Sequence, residues 1–257
     1  MKTVMKVSNL CKTYVVNKRQ NHVLKNVNFT MNEGDFVAIM GPSGSGKSTL
    51  LYSVSGMDHM TAGDVCFLGQ NLASLSDNQM SEVRLNSMGF VFQQMHMLKS
   101  LSIFDNIVVA AYHSQEGKTR AGRKAINERA TVLMKKMNIS DIADNDISEV
   151  SGGQLQRVCI CRALINNPGV LFADEPTGAL NSQASKEVMQ EMIRINQEGT
   201  TIMLVTHDVK VAAKSDKVLY IEDGNIRGEL PMGKCQSGDN MREREMKLNS
   251  WLLEMGW

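Results

Sequence analysis

Nine residues, Gly41-Pro42-Ser43-Gly44-Ser45-Gly46-Lys47-Ser48-Thr49, have the types and the spacing of a loop that holds a phosphate chain. Glycines let the backbone wrap an anion with no side chain in the way. Their N–H groups, with the N-terminus of a following helix, supply partial positive charge to oxyanions. Lys47 is placed to reach the β- and γ-phosphates of a nucleotide, and the Ser48 hydroxyl to ligate Mg²⁺. The alternative is a glycine-rich turn that binds nothing. Against it stand the apolar run Phe36 to Met40, which predicts a strand leading in, and Leu50 to Val54, which predicts a helix leading out.

Three further groups fit the same chemistry. The run Gly169 to Glu175 is apolar until it ends in two acids. Asp174 would hold Mg²⁺ directly or through water, and Glu175 would polarise the water that attacks the γ-phosphate. Thr201 to Val205 is a second apolar run, and it ends in Thr206-His207-Asp208. That places His207 at the end of a strand parallel to the Glu175 strand, as a sensor of the γ-phosphate. Ser151-Gly152-Gly153-Gln154 precedes Leu155, Val158, Cys159 and Ala163 at helical spacing. Ser151 is the expected N-cap, and two glycines leave backbone N–H groups bare. An ordinary helix start explains the serine but not consecutive glycines, which weaken helices.

Positioning these groups requires strands alternating with helices. Strands are expected at Val4 to Leu10, Val23 to Met31, Phe36 to Met40, Val65 to Leu68, Met88 to Phe92, Val170 to Ala173, Thr201 to Val205 and Lys217 to Ile221. Helices are expected at Ile103 to Tyr112, Arg120 to Met137 and Ser182 to Gln197, with 94–166 a mostly helical insertion. The alternation implies an α/β fold with a parallel sheet and a phosphate site at the strands' C-terminal ends. Beyond Pro231, Gly233 to Asn240 reads as a linker. Leu248, Trp251, Leu252 and Met255 then predict an amphipathic helix. That helix either docks on its own domain, the preferred reading, or meets a partner protein.

The chain has 257 residues and a formal charge of +1, with no basic bias of the kind nucleic acid selects. Five cysteines at an odd count, with no CxxC pair, suggest reduced thiols packed as small apolar groups. Cys159 and Cys161 are expected on different sides of their helix. No apolar run reaches the ~20 residues that span a bilayer. With no apolar core after the first charges, a signal peptide is not expected, so a cytoplasmic chain is.

Together these motifs closely resemble the ATP-binding subunits of ABC transporters, over about residues 4–229 and in family order. The resemblance implies a P-loop NTPase of the α/β class. Its parts would be a parallel-sheet ATPase core, an N-terminal antiparallel β-subdomain and a helical signature-motif subdomain. The cassette would occupy 1–230 and the linker and helix 231–257. It implies ATP and Mg²⁺ as cofactors. It also implies that Ser151 to Gln154 close over the ATP of a second, head-to-tail copy. Gln93, or the adjacent Gln94, matches the residue that touches Mg²⁺ and the attacking water in a loop that meets the membrane partner. Tyr14 matches the aromatic that stacks on adenine. The chain departs from the pattern at Val150, where Leu is usual, and at Asn181, where Asp is usual in a loop contacting the second copy.

The wording of Gly41 to Leu51, Gly89 to Gln93, Ala173 to Leu180 and Gly199 to Asp208 is similar to the lipoprotein-release, macrolide-export and antimicrobial-peptide-resistance branch. Gly178 to Ser182 and the tail with Trp251 lean to the bacitracin or lantibiotic peptide-resistance type. The implied function is an ATPase on the inner face of the membrane, held there by a permease. The rival readings are a soluble ATPase of translation or repair and a regulatory subunit of the cell-division type. Among 19 methionines, Met95 and Met97 follow Gln93, where soft side chains suit a contact that re-packs; ordinary core filling is the alternative.

Overall fold

The structure is a computed structural model and describes residues 2–236 and 238–257. The chain forms two compact units, Met1–Met80 with Asn196–Trp257, and Ser81–Ile195.

The first unit opens on a long hairpin, β1 (Thr3–Val16) and β2 (Arg19–Asn32), turned by Asn17 and Lys18 at φ 50° and 63°. Two consecutive positive φ values match the twist of the flanking strands, as hairpin turns require. Next come β3 (Phe36–Met40), α1 (Lys47–Val54), β4 (Ala62–Phe67) and the short β5 (Gln70–Asn71). β1 pairs antiparallel with β2 and β4, and β4 with β5. α2 (Asp77–Ser87) leads into the second unit.

There β6 (Met88–Phe92) is followed by α3 (Ile103–Tyr112), α4 (Arg120–Lys136), α5 (Gly152–Leu164), β7 (Val170–Asp174) and α6 (Ser182–Gln197). β6 and β7 are parallel, with Phe92 opposite Asp174. Back in the first unit, β8 (Thr201–Val205), α7 (Val209–Ala212), β9 (Lys217–Glu222), β10 (Asn225–Pro231) and α8 (Met241–Glu254) complete the chain. β3 runs parallel to both β8 and β9, and β10 is antiparallel to β9. The fold is thus α/β, with parallel core strands and an N-terminal antiparallel sheet.

Every residue of β3, β7 and β8 is buried. That is why they read as unbroken apolar runs rather than alternating ones. β1 and β2 extend beyond the expected strands, because the tip Val15 to Gln20 is exposed on every residue and so lacks the alternation of a half-buried strand. α2 gave no sequence signal, since only Met80 is buried on it. β10 was also missed: Gly228 and charged residues interrupt its pattern. Gly228 lies so close to Trp251 that a Cβ there would come within 2.8 Å of the indole.

The tail helix docks on its own unit. Leu248 and Leu252 enter a cluster with Ala212, Val218 and Tyr220, and Trp251 packs edge-on to Tyr220. Arg244 ties the helix down by donating to the carbonyls of Ala213, Met232, Ser215 and Gly233. Cys159 and Cys161 are both buried despite pointing apart, because α5 is covered on more than one side. Burial raises both thiols, Cys159 to about 11, so both stay protonated and unreactive. Among the described residues, no helix is long and apolar enough to cross a membrane.

Candidate functional site

In the first unit the loop Gly41 to Gly46 joins the end of β3 to α1. Gly46 caps the helix at φ 102°, a left-handed conformation that favours glycine, and no acid occupies the first turn. The bare N-terminus therefore keeps its positive potential for an anion. A Cβ at Gly41 would stand 2.0 Å from the Ile221 carbonyl oxygen, so only glycine lets β3 turn there. Lys47 Nζ donates to the Gly41 and Pro42 carbonyls, at 2.8 Å each, so the ammonium is held over the loop's own backbone. Pro42, Ser43 and Gly44 are exposed, Ser45 is buried, and Lys47, Ser48 and Thr49 are half-buried at the mouth.

His207 belongs to the same group. Ile39 pairs with Val205, and the Thr206 N–H donates to the Ile39 carbonyl at 3.2 Å. The ends of β3 and β8, and so Gly41 and His207, are thereby brought together. His207 is exposed.

Tyr14 also lies in this unit, and its hydroxyl donates to the Asp58 carboxylate. Lys12 Nζ bonds the other Asp58 oxygen and sits 4.6 Å from the Tyr14 ring centroid. Burial alone would raise the Asp58 carboxyl, but hydrogen bonds from Lys12 and Tyr14 outweigh it and hold the group below its ordinary value. Burial, followed by the bond to Asp58, raises the Tyr14 hydroxyl. Lys12 and Asp58 have no signal in the sequence: a lysine on a strand and an aspartate in a turn carry no motif.

The second unit gathers the other acids. Phe92 lies opposite Asp174, so Gln93 leaves β6 where Glu175 leaves β7. Asp174 is buried, at 9% exposure. Glu175 adopts φ 48°, strained for a residue with a side chain. The turn behind it closes with the Gly178 N–H donating to the Glu175 carbonyl at 3.0 Å. The Gln93 amide lies over that turn: a Cβ at Gly178 would be 3.0 Å from Gln93 Nε2. Gln93, Asp174 and Glu175 thus form one constellation.

Ser151 to Gln154 form another. Ser151 Oγ accepts from the Gln154 N–H at 3.3 Å, while Gln154 Oε1 accepts from the Ser151 N–H at 2.9 Å. This reciprocal capping leaves the Gly152 and Gly153 N–H groups at the open end of α5. The two glycines differ in purpose. A Cβ at Gly153 would crowd the Ala184 Cβ at 3.0 Å, so packing demands glycine there. At Gly152 the nearest atom would be 3.5 Å away, an ordinary contact, so packing does not demand glycine there. Ala179, Leu180 and Asn181 share this hollow. Asn181 Oδ1 accepts from the Ala184 N–H at 2.9 Å and caps α6. Asn and Asp cap about equally well, so the departure from Asp costs the fold little.

A further residue carried no sequence signal. Arg162, on α5, donates from Nη2 to the Met95 carbonyl at 2.7 Å and from Nη1 to the His96 carbonyl at 3.0 Å. Its Nη1 also lies 3.7 Å from Met97 Sδ. The loop after Gln93, with His96 strained at φ 47°, is pinned to the helix that Ser151 opens. Replacing Arg162 by Ala is expected to destabilise the protein by about 1.5–3 kcal/mol. It is also expected to speed hydrogen exchange at the amides of 95–98; unchanged exchange there would remove Arg162 as the pin.

The model of the family described as "ABC transporter" matches residues 24–178. The chain belongs to the ABC transporter family. The macrolide export ATP-binding/permease protein MacB of Psychrobacter arcticus is 40% identical over 226 residues, covering 88% of this chain and 33% of that protein. The chain therefore spans about a third of the length of that relative. The ABC transporter ATP-binding protein MJ0796 of Methanocaldococcus jannaschii is 37% identical over 228 residues, covering 88% of this chain and 96% of that one. A dimeric structure of MJ0796, a bacterial ABC transporter cassette, superposes with a TM-score of 0.80 at 36% identity, covering 89% of this chain and 98% of the other. A dimeric post-hydrolysis state of MJ0796 bound to ADP and Pi does so at 0.80 and 35%, with the same coverage.

ATP with Mg²⁺ is the ligand pair to test against the residues of an ABC cassette. Its residues fit that pair. In the first unit the glycine backbone and helix N-terminus suit a polyphosphate and the Ser48 hydroxyl suits a hard cation; in the second unit the Asp174 carboxylate is a hard oxygen donor of the same type.

Proposed function

We propose that this cassette hydrolyses ATP to drive a membrane permease. Two copies would join head-to-tail over two ATP molecules, on the cytoplasmic face of the membrane. The observation that carries the reading is the loop Gly41 to Thr49, set between a buried parallel strand and an acid-free helix N-terminus. Gly41 to Gly46 offer N–H groups to the phosphates, Lys47 neutralises the β- and γ-oxygens, Thr49 lines the mouth, and Ser48, Asp174 and Gln93 hold Mg²⁺. Mg²⁺ would supply charge neutralisation as the phosphoryl group departs. Tyr14 stacks on the base. Glu175 orients the attacking water, Gln93 shares in holding it, and His207 grips the γ-phosphate. Ser151, Gly152, Gly153 and Gln154 close over the ATP of the second copy. That accounts for a bare helix N-terminus in a chain that already has one.

Contacts that ATP makes to both chains and ADP does not supply the free-energy difference that opens and closes the pair. The cargo is of the antimicrobial-peptide, macrolide or lipoprotein class, handled at or beyond the membrane. Support comes from MacB, an ATP-binding/permease protein, and from MJ0796, a cassette with a dimeric structure. The test is a pull-down of the tagged chain from its native membrane in detergent. Recovery of a polytopic permease is expected; recovery of ribosomes or repair factors instead would overturn the reading.

Met95 and Met97, both half-buried in the loop pinned by Arg162, are the assigned permease contacts. Replacing both by Gln is expected to weaken co-purification with the permease while ATP affinity stays within about twofold, since surface changes away from a ligand cost little. Intact co-purification would remove the methionines from the interface.

A further inference from the structure

Tyr14 is half-exposed, at 37%, on a strand near the hairpin tip, where a ring would ordinarily swing freely. Here it is held at two points. Its hydroxyl is bonded to Asp58, with Thr49, the last residue of the phosphate loop, also among its partners. One face of the ring is covered by the Lys12 ammonium, 4.6 Å from the centroid. Lys12 is itself fixed: it is only 7% exposed and donates to both Asp58 and the His59 carbonyl, the latter at 2.6 Å. Asp58 therefore joins the tether of the ring to the tether of the cation. It lies in the turn after α1, outside every phosphate-binding motif of the chain.

We propose that Asp58, with Lys12, is a positioning residue for base recognition. The pair holds Tyr14 as a one-faced platform beside the first turn of α1, so that the base of ATP stacks on the face opposite Lys12. This rests on the reading of Tyr14 as the base-stacking residue. The physical gain is pre-organisation. A free aromatic side chain loses rotamer freedom when a base lands on it, and a tethered one has lost it already. A cation on one face also fixes which face of the ring is open. The triphosphate is held by other groups, so the effect belongs to the base alone.

The experiment compares dissociation constants of ATP and of inorganic tripolyphosphate, which has no base, by calorimetric titration of the purified full chain. The variants are Asp58→Asn, Tyr14→Phe, the double variant and Tyr14→Ala. Asp58→Asn keeps the shape of the side chain but loses the charge that pairs Lys12. Tyr14→Phe keeps the ring and removes the hydroxyl's bonds to Asp58 and Thr49, at a half-exposed position that does not endanger folding. Each is expected to weaken ATP binding about three- to tenfold and to leave tripolyphosphate unchanged. The double variant is expected to lose less than the product of the two single losses, because both changes act on the Tyr14–Asp58 contact. Tyr14→Ala is expected to lose roughly tenfold or more.

If Tyr14→Ala weakens ATP binding while Tyr14→Phe and Asp58→Asn bind as tightly as the unmodified chain, the ring stacks but Asp58 does not position it, and the proposal fails alone. If Tyr14→Ala leaves ATP binding unchanged, the stacking reading fails and the proposal falls with it. Equal losses for ATP and tripolyphosphate would place Asp58 with the phosphate site or the fold, and would also overturn it.

Discussion

Replacing Glu175 by Gln is expected to cut steady-state ATP turnover by about 10²- to 10⁴-fold, the usual contribution of a positioned general base. Gln keeps the size of the side chain and one hydrogen-bonding oxygen, but it cannot take a proton from water. ATP binding should survive, because the groups assigned to the phosphates are the backbone N–H groups of Gly41 to Gly46 and the Lys47 ammonium, and the substitution leaves both in place. The backbone supports a functional role: Glu175 sits at φ 48°, a conformation a side-chain-bearing residue adopts at a cost of about 1–3 kcal/mol. Strain of this kind persists where the surroundings over-determine it. Here these are the Gly178 turn, the Gln93 amide above it, and the β6–β7 ladder behind. With hydrolysis blocked, ATP should hold two cassettes together, so gel filtration with ATP should give a dimer that ADP does not. Turnover at the unmodified rate would remove Glu175 as the base. Loss of turnover with no ATP-dependent dimer would instead remove the head-to-tail pair.

Replacing Lys47 by Ala is expected to weaken ATP binding by about 2–5 kcal/mol, the usual cost of truncating one partner of a close charge pair. That is about 30-fold to several thousand-fold in Kd. In this structure the ammonium bonds two carbonyls of its own loop, so its position is set before any anion arrives. Arg is not expected to rescue it: a planar guanidinium cannot replace a compact ammonium with three donors over two converging carbonyls. Calorimetric titration reads the loss directly. The fold should tolerate the change, since Lys47 is half-buried at the mouth of the loop rather than in the core. An Ala variant that binds ATP as tightly as the parent would remove Lys47 from the site.

Much of this was legible in the sequence because the chemistry is local. A phosphate loop is nine consecutive residues, and its glycines, lysine and serine must occur in one order for backbone N–H groups to converge on an anion. Ser151 to Gln154 carry their own capping pattern, and β3, β7 and β8 announce themselves as buried strands through unbroken apolar runs. Family and fold class followed from such segments. The tertiary structure decided what depends on residues far apart in the chain. Lys12, Tyr14 and Asp58 meet because the strand β1 and the turn after α1 fold together, and no periodicity records that meeting. Arg162 reaches the loop after Gln93 across 67 positions of sequence. Gly153 is glycine for packing against Ala184, while Gly152 is not, a difference invisible in two adjacent identical letters. Local hydrogen bonding and burial write themselves into neighbouring residues. A contact between distant side chains constrains only the pair that makes it, and one sequence does not reveal the partner.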